Sequence, residues 1–202
     1  MKHKKSISAF TLAEVLITLL ILGVLASITI PGLINNINNV QHKVMMKKIY
    51  SDISNAGMLL KAEGQPEVGF SYGEIIDVLS TKLSYIKKCT EAQIPGNCLA
   101  TNAQSAITSI NGDLIVAYCV VLNNGASVCS MEADTIISTD NTYKSLALTV
   151  DVNSLKGPNK VCSDIYFLGI SRSTFTVEPI TTVHLDSGYD INTNCPYDWL
   201  TQ

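Results

Sequence analysis

An apolar run near the N-terminus restricts what this chain can fold into. No formally charged side chain occurs between Val15 and Gln41, and the first one downstream is Lys43. A bilayer core about 30 Å thick is spanned by about 20 apolar residues of helix. The segment from Phe10 to Ile30 is therefore long enough to cross a membrane once as a single helix.

One acidic residue, Glu14, lies at the start of the run, and the lysines of residues 1–9 precede it. A carboxylate in the middle of a membrane costs about 2.5 to 3.5 kcal/mol, and less near an interface, so an acid there points to a function. Basic residues ahead of a spanning helix favour a cytoplasmic N-terminus. We expect a single pass through the membrane, with the rest of the chain on the extracytoplasmic side.

Three kinds of segment have this composition. A cleaved secretory signal has a shorter apolar stretch before its cleavage site; Val24-Leu25-Ala26 loosely fits such a site, but the apolar character continues to Ile34. An uncleaved signal anchor fits the length and leaves Glu14 unexplained. If a peptidase removed residues 1–9, the new Phe10 ammonium would lie one helical turn from Glu14. Between neighbouring helices, such a pair would fix their register more than it would add stability.

The hexapeptide Ala9-Phe10-Thr11-Leu12-Ala13-Glu14 resembles the cleavage and methylation motif of type IV prepilins and type II secretion pseudopilins. Lys4 and Lys5 before it, the apolar run behind it and Pro31 extend the resemblance over about residues 1–60. The resemblance implies that a prepilin peptidase cuts between Ala9 and Phe10 and methylates the Phe10 amine. Ala9 occupies the position where the family usually has glycine.

The resemblance also implies an architecture and partners. Residues 1–9 would be the leader, residues 10–63 a long helix with residues 10–30 in the membrane or filament core, and residues 64–202 a globular head. The subunit would polymerise with other pilin or pseudopilin subunits on an inner-membrane assembly platform, with Glu14 and Pro31 acting in assembly. Whether the filament is a pilus or a secretion pseudopilus stays open.

The helix is expected to continue beyond the membrane and to become amphipathic. Pro31 lacks a backbone donor, which predicts a kink or a loosened turn there. Gly64-Gln65-Pro66 ends the helix, which we place from about Phe10 to Glu63. Further along, apolar residues recur at steps of three and four, the spacing of one helical face, at Met45, Ile49, Ile53, Ala56 and Leu60.

The sequence after the long helix predicts an α+β fold, in which the helix packs on an antiparallel sheet. Residues 67–88 are expected to be a loop and a short helix, Tyr72 to Leu83, followed by β-type patterns. The tail after residue 178 is expected to be irregular. Extended segments are predicted for Asp113 to Leu122, Ala126 to Met131, Tyr143 to Val152, Asp164 to Ile170 and Ser173 to Glu178.

Six cysteines follow the apolar run, and none forms a CxxC pair, so zinc and thioredoxin motifs lack their spacing. An even number beyond a membrane predicts disulfides in an oxidising compartment, with buried free thiols as the alternative. Cys89 and Cys98 bracket a short loop with a Pro95-Gly96 turn, so a bridge there is plausible. The pair Cys162 and Cys195 is implied by the resemblance, because many pilins close a C-terminal loop in this way; exchange with Cys119 and Cys129 stays open.

The loop Asn123-Asn124-Gly125 decides whether Cys119 and Cys129 can pair. A two-residue turn would place Cys119 opposite Ser130. A three-residue loop with Gly125 in the left-handed conformation would place the two cysteines opposite each other. We favour the three-residue loop.

Asp151 and Asn153 are candidate ligands for calcium, because hard cations prefer clustered oxygens. The EF-hand spacing fails, since Leu155 takes a ligand position and Cys162 the position of the bidentate glutamate. An ordinary Asx-rich turn is the preferred interpretation, and no cofactor is predicted. The segment also resembles a turn of some prepilin-like heads, with Ser154 and Cys162 at two of its glycine positions.

Charge and motifs argue against other functions. The chain has 14 basic and 17 acidic side chains, and removing the three lysines of residues 1–9 leaves 11 basic side chains and a formal charge of −6. Nucleic-acid binding is not expected, because it depends on neutralising phosphates. The metalloprotease, nucleophile-elbow and phosphate-loop motifs are missing, and His184 is a lone imidazole, so an enzyme is not expected. Two classes remain: a structural filament subunit, or a single-pass anchored extracytoplasmic domain that binds or catalyses.

Overall fold

The computed structural model describes residues 10–65, 72–101, 103, 116–131, 145–180, 182–184, 190–192 and 195–200. The chain divides into two compact units, Met1–Val40 and Gln41–Gln202. The elements are the helices α1 (Leu12–Ala62) and α2 (Tyr72–Ser80) and the strands β1 (Tyr85–Thr90), β2 (Val116–Leu122), β3 (Ser127–Met131), β4 (Ser145–Asp151), β5 (Ile165–Ser171), β6 (Val177–Pro179), β7 (Thr182–His184) and β8 (Asp190–Asn192).

The second half of α1 belongs to the second unit and supplies one wall of its core. Its apolar side chains are buried at steps of three and four residues, as an amphipathic helix requires. The stripe begins at Met46, whereas the sequence analysis placed Met45 in it; Met45 is only partly buried and packs at the edge of the core. The buried side chains are those of Met46, Ile49, Ile53, Ala56 and Leu60.

The strands β1 to β6 form one antiparallel sheet in chain order, which makes the fold pilin-like α+β. Alternate residues of each strand face opposite sides, so Leu148 and Val150 join the core that contains α1 and α2. Ala147 faces the other side, where a second core contains the loop closed by Cys89 and Cys98. Both faces of the sheet are therefore covered.

Three predictions about the strands need correction. Residues 85–90 form β1, although the sequence analysis placed 85–88 in a loop-and-helix region; most of this edge strand is exposed, so it lacks an apolar pattern. Residues 172–174 form a turn between β5 and β6 and are not extended. The tail also contains β7 and β8, which pair with each other. The predicted positions 113–115 and 143–144 lie outside the described residues.

The hairpin between β2 and β3 has the predicted three-residue loop. Gly125 has a φ of +85°, and its N–H donates to the Leu122 carbonyl at 2.9 Å. The Leu122 N–H donates to the Ala126 carbonyl at 2.8 Å, which closes the loop. Cys119 lies directly opposite Cys129 in the resulting register.

A C-terminal segment, residues 195–200, is fastened to β5. The hydroxyl of Tyr197 accepts a hydrogen bond from the Phe167 N–H at 3.0 Å and donates to the Phe167 carbonyl at 3.1 Å. Burial raises the pKa of Tyr197 to about 12, so the hydroxyl remains a donor at neutral pH. The ring of Trp199 packs edge-on against Tyr166, with centroids 5.8 Å apart, and the Lys43 ammonium lies 5.6 Å from the Trp199 ring centre. The tail therefore contributes to the core of the second unit.

Candidate functional site

The start of α1 is defined by a capping box between Thr11 and Glu14. The Thr11 N–H and the Thr11 hydroxyl both donate to Glu14 Oε2, each at 2.8 Å. The Glu14 N–H donates back to the Thr11 hydroxyl at 3.3 Å. These bonds satisfy groups that the first turn of a helix leaves unpaired. The helix consequently begins at Leu12, and Phe10 and Thr11 precede it.

The surface of the first unit is apolar around this box. Phe10 is 86% exposed, and the large apolar side chains of the following turns are exposed as well. Among the described residues, α1 is the one helix long and apolar enough to cross a membrane. With its three disulfides, the chain has the features of a membrane-anchored extracytoplasmic protein.

Hydroxyl side chains within the apolar part of α1 donate hydrogen bonds to backbone carbonyls of the same helix. Thr18 donates to the Val15 carbonyl at 2.9 Å, and Ser27 donates to the Val24 carbonyl at 2.7 Å. Such local bonds make hydroxyls compatible with a membrane interior. The helix continues through Pro31 as one α-helix.

The residues that the sequence analysis assigns to cleavage and assembly do not form a single cluster among the described residues. Phe10 and Glu14 lie at the start of the helix and Pro31 lies five turns along it, while Ala9 is outside the described residues. In the full-length chain the Phe10 nitrogen is a peptide amide, and the Glu14 carboxylate is bound by Thr11. Pairing of Glu14 with a Phe10 ammonium stays a prediction for the cleaved chain.

All six cysteines are paired, as Cys89–Cys98, Cys119–Cys129 and Cys162–Cys195. The first two bridges lie together in the core on the face of the sheet away from α1. Cys89 is also the register partner of Cys119. The third bridge joins the segment before β5 to the C-terminal tail.

Asp151 forms an Asx turn at the end of β4. Its Oδ1 accepts hydrogen bonds from the N–H groups of Asn153 and Ser154 at 3.0 and 2.9 Å. The Asp151 Oδ2 and the Asn153 Oδ1 are buried and have no partner among the described residues. Burial, with Asp164 nearby, raises the pKa of Asp151 to about 7. Within the described ranges, no group of three or more His, Cys, Asp or Glu residues is arranged to hold a metal.

Two non-glycine residues after Asp151 have a left-handed backbone conformation. Ser154 and Cys162, at two glycine positions of the turn that the sequence resembles, have φ values of +56° and +65°. A left-handed conformation costs a non-glycine residue roughly 1 to 2 kcal/mol. The Ser154 hydroxyl donates to the Cys98 carbonyl at 3.0 Å, which offsets part of that cost.

Thr11 is the functional candidate that the sequence analysis did not single out. The sequence analysis places Thr11 within the hexapeptide and predicts for Glu14 a pair with an amine. The signal was present, because Thr followed three residues later by Glu ahead of an apolar run is the pattern of a capping box.

The fold and the helix start define the class of protein: a pilin-like α+β chain with an apolar N-terminal helix. Residues 4–30 match the family model for the prokaryotic N-terminal methylation motif. This is the prepilin-type cleavage and methylation motif, and it is consistent with the pilin and pseudopilin family. No curated protein and no solved structure matches the chain at a significant level.

Proposed function

We propose that this chain is a structural subunit of a type IV pilus-like filament or a type II secretion pseudopilus. A prepilin peptidase cleaves it between Ala9 and Phe10 and methylates the new amine. The observation that carries the proposal is the methylation motif at residues 4–30, which coincides with the start of a long apolar helix. The motif implies the peptidase as a partner.

The exposed side chains of the first unit support polymerisation through the helix. Large apolar side chains around the whole circumference remain exposed, among them Leu16, Ile21 and Leu25 at 52–58%. A helix that is apolar all round must be covered by lipid or by other helices. In the proposed mechanism lipid covers it before assembly, and neighbouring α1 helices cover it afterwards.

Glu14 has a specific part in this mechanism. After cleavage, its carboxylate accepts the Phe10 ammonium of a neighbouring subunit and fixes the axial stagger of the two helices. The exchange of a lipid-exposed carboxylate for a paired one favours the filament, since an unpaired charge is costly in apolar surroundings. The head and its three disulfides remain outside the membrane throughout.

Incorporation of Glu14 variants into filaments tests the proposal. The full-length chain is expressed with a prepilin peptidase and the matching assembly platform, and the sheared filament fraction is compared with the membrane fraction. We expect Glu14→Ala and Glu14→Gln to remain in the membrane fraction with a folded, fully disulfide-bonded head. Glu14→Gln is the matched control for shape, because glutamine can still form the capping box. Normal incorporation of either variant would contradict the mechanism.

The alternative class is a single-pass anchored domain that binds a ligand or catalyses a reaction outside the cytoplasm. It predicts a chain that keeps residues 1–9, or is cut after Ala26, and that never enters a filament fraction. The same fractionation therefore separates the two classes.

A further inference from the structure

We propose that Thr11 is a positioning residue for prepilin cleavage. Through its capping box with Glu14 it fixes the start of the helix at Leu12, downstream of the Ala9–Phe10 bond. On the carboxyl side of this bond the peptidase then meets Phe10 and Thr11, which precede the helix. The inference rests on the proposed function, because it concerns the same cleavage step. It assigns to Thr11 a role that differs from the pairing of Glu14 with an amine.

The hydrogen bonds of the box oppose growth of the helix towards the leader. The Thr11 N–H and hydroxyl are both donated to Glu14 Oε2, and the same hydroxyl accepts from the Glu14 N–H. An N-cap residue has a non-helical backbone, so adding a further turn would break these bonds. Phe10 and Thr11 accordingly separate the helix from the bond to be cut.

The local sequence would otherwise favour a longer helix. Ala9, directly before the bond, is the strongest helix former, and apolar surroundings favour structures that satisfy backbone groups internally. A bond inside an α-helix is enclosed by the hydrogen bonds of its turn. Peptidases prefer open, exposed segments, and cleavage of a structured site depends on the population that opens. The box raises the open population at this bond.

Cleavage kinetics of Thr11 variants test the inference. Full-length chain and a purified prepilin peptidase are mixed in detergent micelles, and initial rates are measured over a range of chain concentrations. Thr11→Val keeps the shape and removes the hydroxyl, whereas Thr11→Ser keeps the hydroxyl. We expect Thr11→Val to raise KM about fivefold with kcat unchanged, because fewer chains are open before binding. Thr11→Ser should cleave at close to the wild-type rate.

The same Thr11 substitution in an Ala9→Gly chain distinguishes an effect on the helix start from a direct contact between Thr11 and the peptidase. Glycine disfavours the helix by itself, so in an Ala9→Gly chain Thr11→Val should raise KM by less than about twofold. An equal loss in both backgrounds, or no loss in either, overturns the inference while leaving the proposed function intact. If the wild-type chain is not cut between Ala9 and Phe10 at all, the proposed function itself fails, and the inference fails with it.

Discussion

At the scale of single residues, the buried carboxyl of Asp151 makes the stability of the head depend on pH. The pKa of Asp151 is raised from 3.8 to about 7 because burial disfavours the charged form. Between about pH 4 and pH 7 the folded chain therefore holds a proton that the unfolded chain has lost. The contribution of this group to the free energy of unfolding falls as the pH rises through that window, and it levels off above about pH 7.

Asp151→Asn tests this dependence. Asparagine keeps an oxygen that can accept the N–H groups of Asn153 and Ser154, but it does not titrate. We expect the variant to gain stability relative to wild type as the pH rises from 4 to 7, by up to about 4 kcal/mol if the whole pKa shift is expressed. Urea unfolding at each pH measures the difference, with Asp198→Asn as an exposed control. A difference that is constant across pH would show that Asp151 does not titrate in this window.

At Gly57, α1 lies against Phe175 in the segment between β5 and β6. A Cβ added there would overlap the Phe175 carbonyl oxygen and lie 3.3 Å from its carbonyl carbon. Phe175 is buried and has a φ of +54°, so it has little freedom to move away.

Gly57→Ala should therefore destabilise the head, although alanine is the better helix former. We expect a net loss of about 1 to 3 kcal/mol, or several degrees in Tm, because overpacking exceeds the gain in propensity. Thermal unfolding in detergent measures it. Gly32→Ala is the matched control in the same helix, since nothing lies within 4 Å of its added Cβ. Equal Tm values for Gly57→Ala and wild type would contradict the close approach.

At the scale of elements, three cysteines, one on each of β1, β2 and β3, lie side by side across the sheet. Cys89 pairs in register with Cys119, and Cys119 with Cys129, while Cys89 is bonded to Cys98. A thiol released at Cys89 would lie beside the Cys119–Cys129 bridge. Exchange proceeds by attack of a thiolate on a neighbouring disulfide, so this arrangement offers an alternative pairing.

Cys98→Ser should reveal that alternative. After refolding at mildly alkaline pH, we expect peptide mapping to find Cys89–Cys119 in part of the molecules, with the free thiol at Cys129. In the double variant Cys89→Ser with Cys98→Ser, only Cys119–Cys129 can form between these strands. Finding Cys119–Cys129 alone in the single variant, with a free Cys89, would rule out exchange between the strands.

Elements with local signals could be predicted from the sequence. The β2–β3 hairpin followed from Asn123-Asn124-Gly125, because glycine at the left-handed position selects a three-residue loop. The long helix followed from its apolar run and its periodicity. It begins at Leu12, two residues after the expected start, and ends at Ala62, one residue before the expected end. These features depend on neighbours in the chain.

Elements that depend on tertiary context were missed. β1 is an exposed edge strand whose pairing with β2 holds it in place, so its own residues carry little β pattern. The burial of Asp151 arises from the packing of β4 in the middle of the sheet. The capping role of Thr11 has a local signal in the sequence, but the same Glu14 carboxylate also fits a pair with an amine.

At the scale of the whole molecule, the two units have different chemistry. Residues Gln41–Gln202 bury cores on both faces of a sheet and contain all three disulfides, whereas the described part of Met1–Val40 is a helix with an apolar exposed surface. A folded, oxidised head combined with an apolar helix of this kind fits a subunit that is anchored first and assembled later. Cleavage at the start of the helix would convert the membrane-anchored chain into a subunit that can assemble.

The mass of the N-terminal peptide tests this central claim most directly. The chain is isolated from the membranes of a host that supplies a prepilin peptidase, and from a matched host without it, and the N-terminal peptides are analysed by mass spectrometry. We expect a peptide that begins at Phe10 and carries one methyl group on its amine in the first host, and an intact leader in the second. A chain from the first host that still begins at residue 1 or 2, or that begins after Ala26, would contradict the claim.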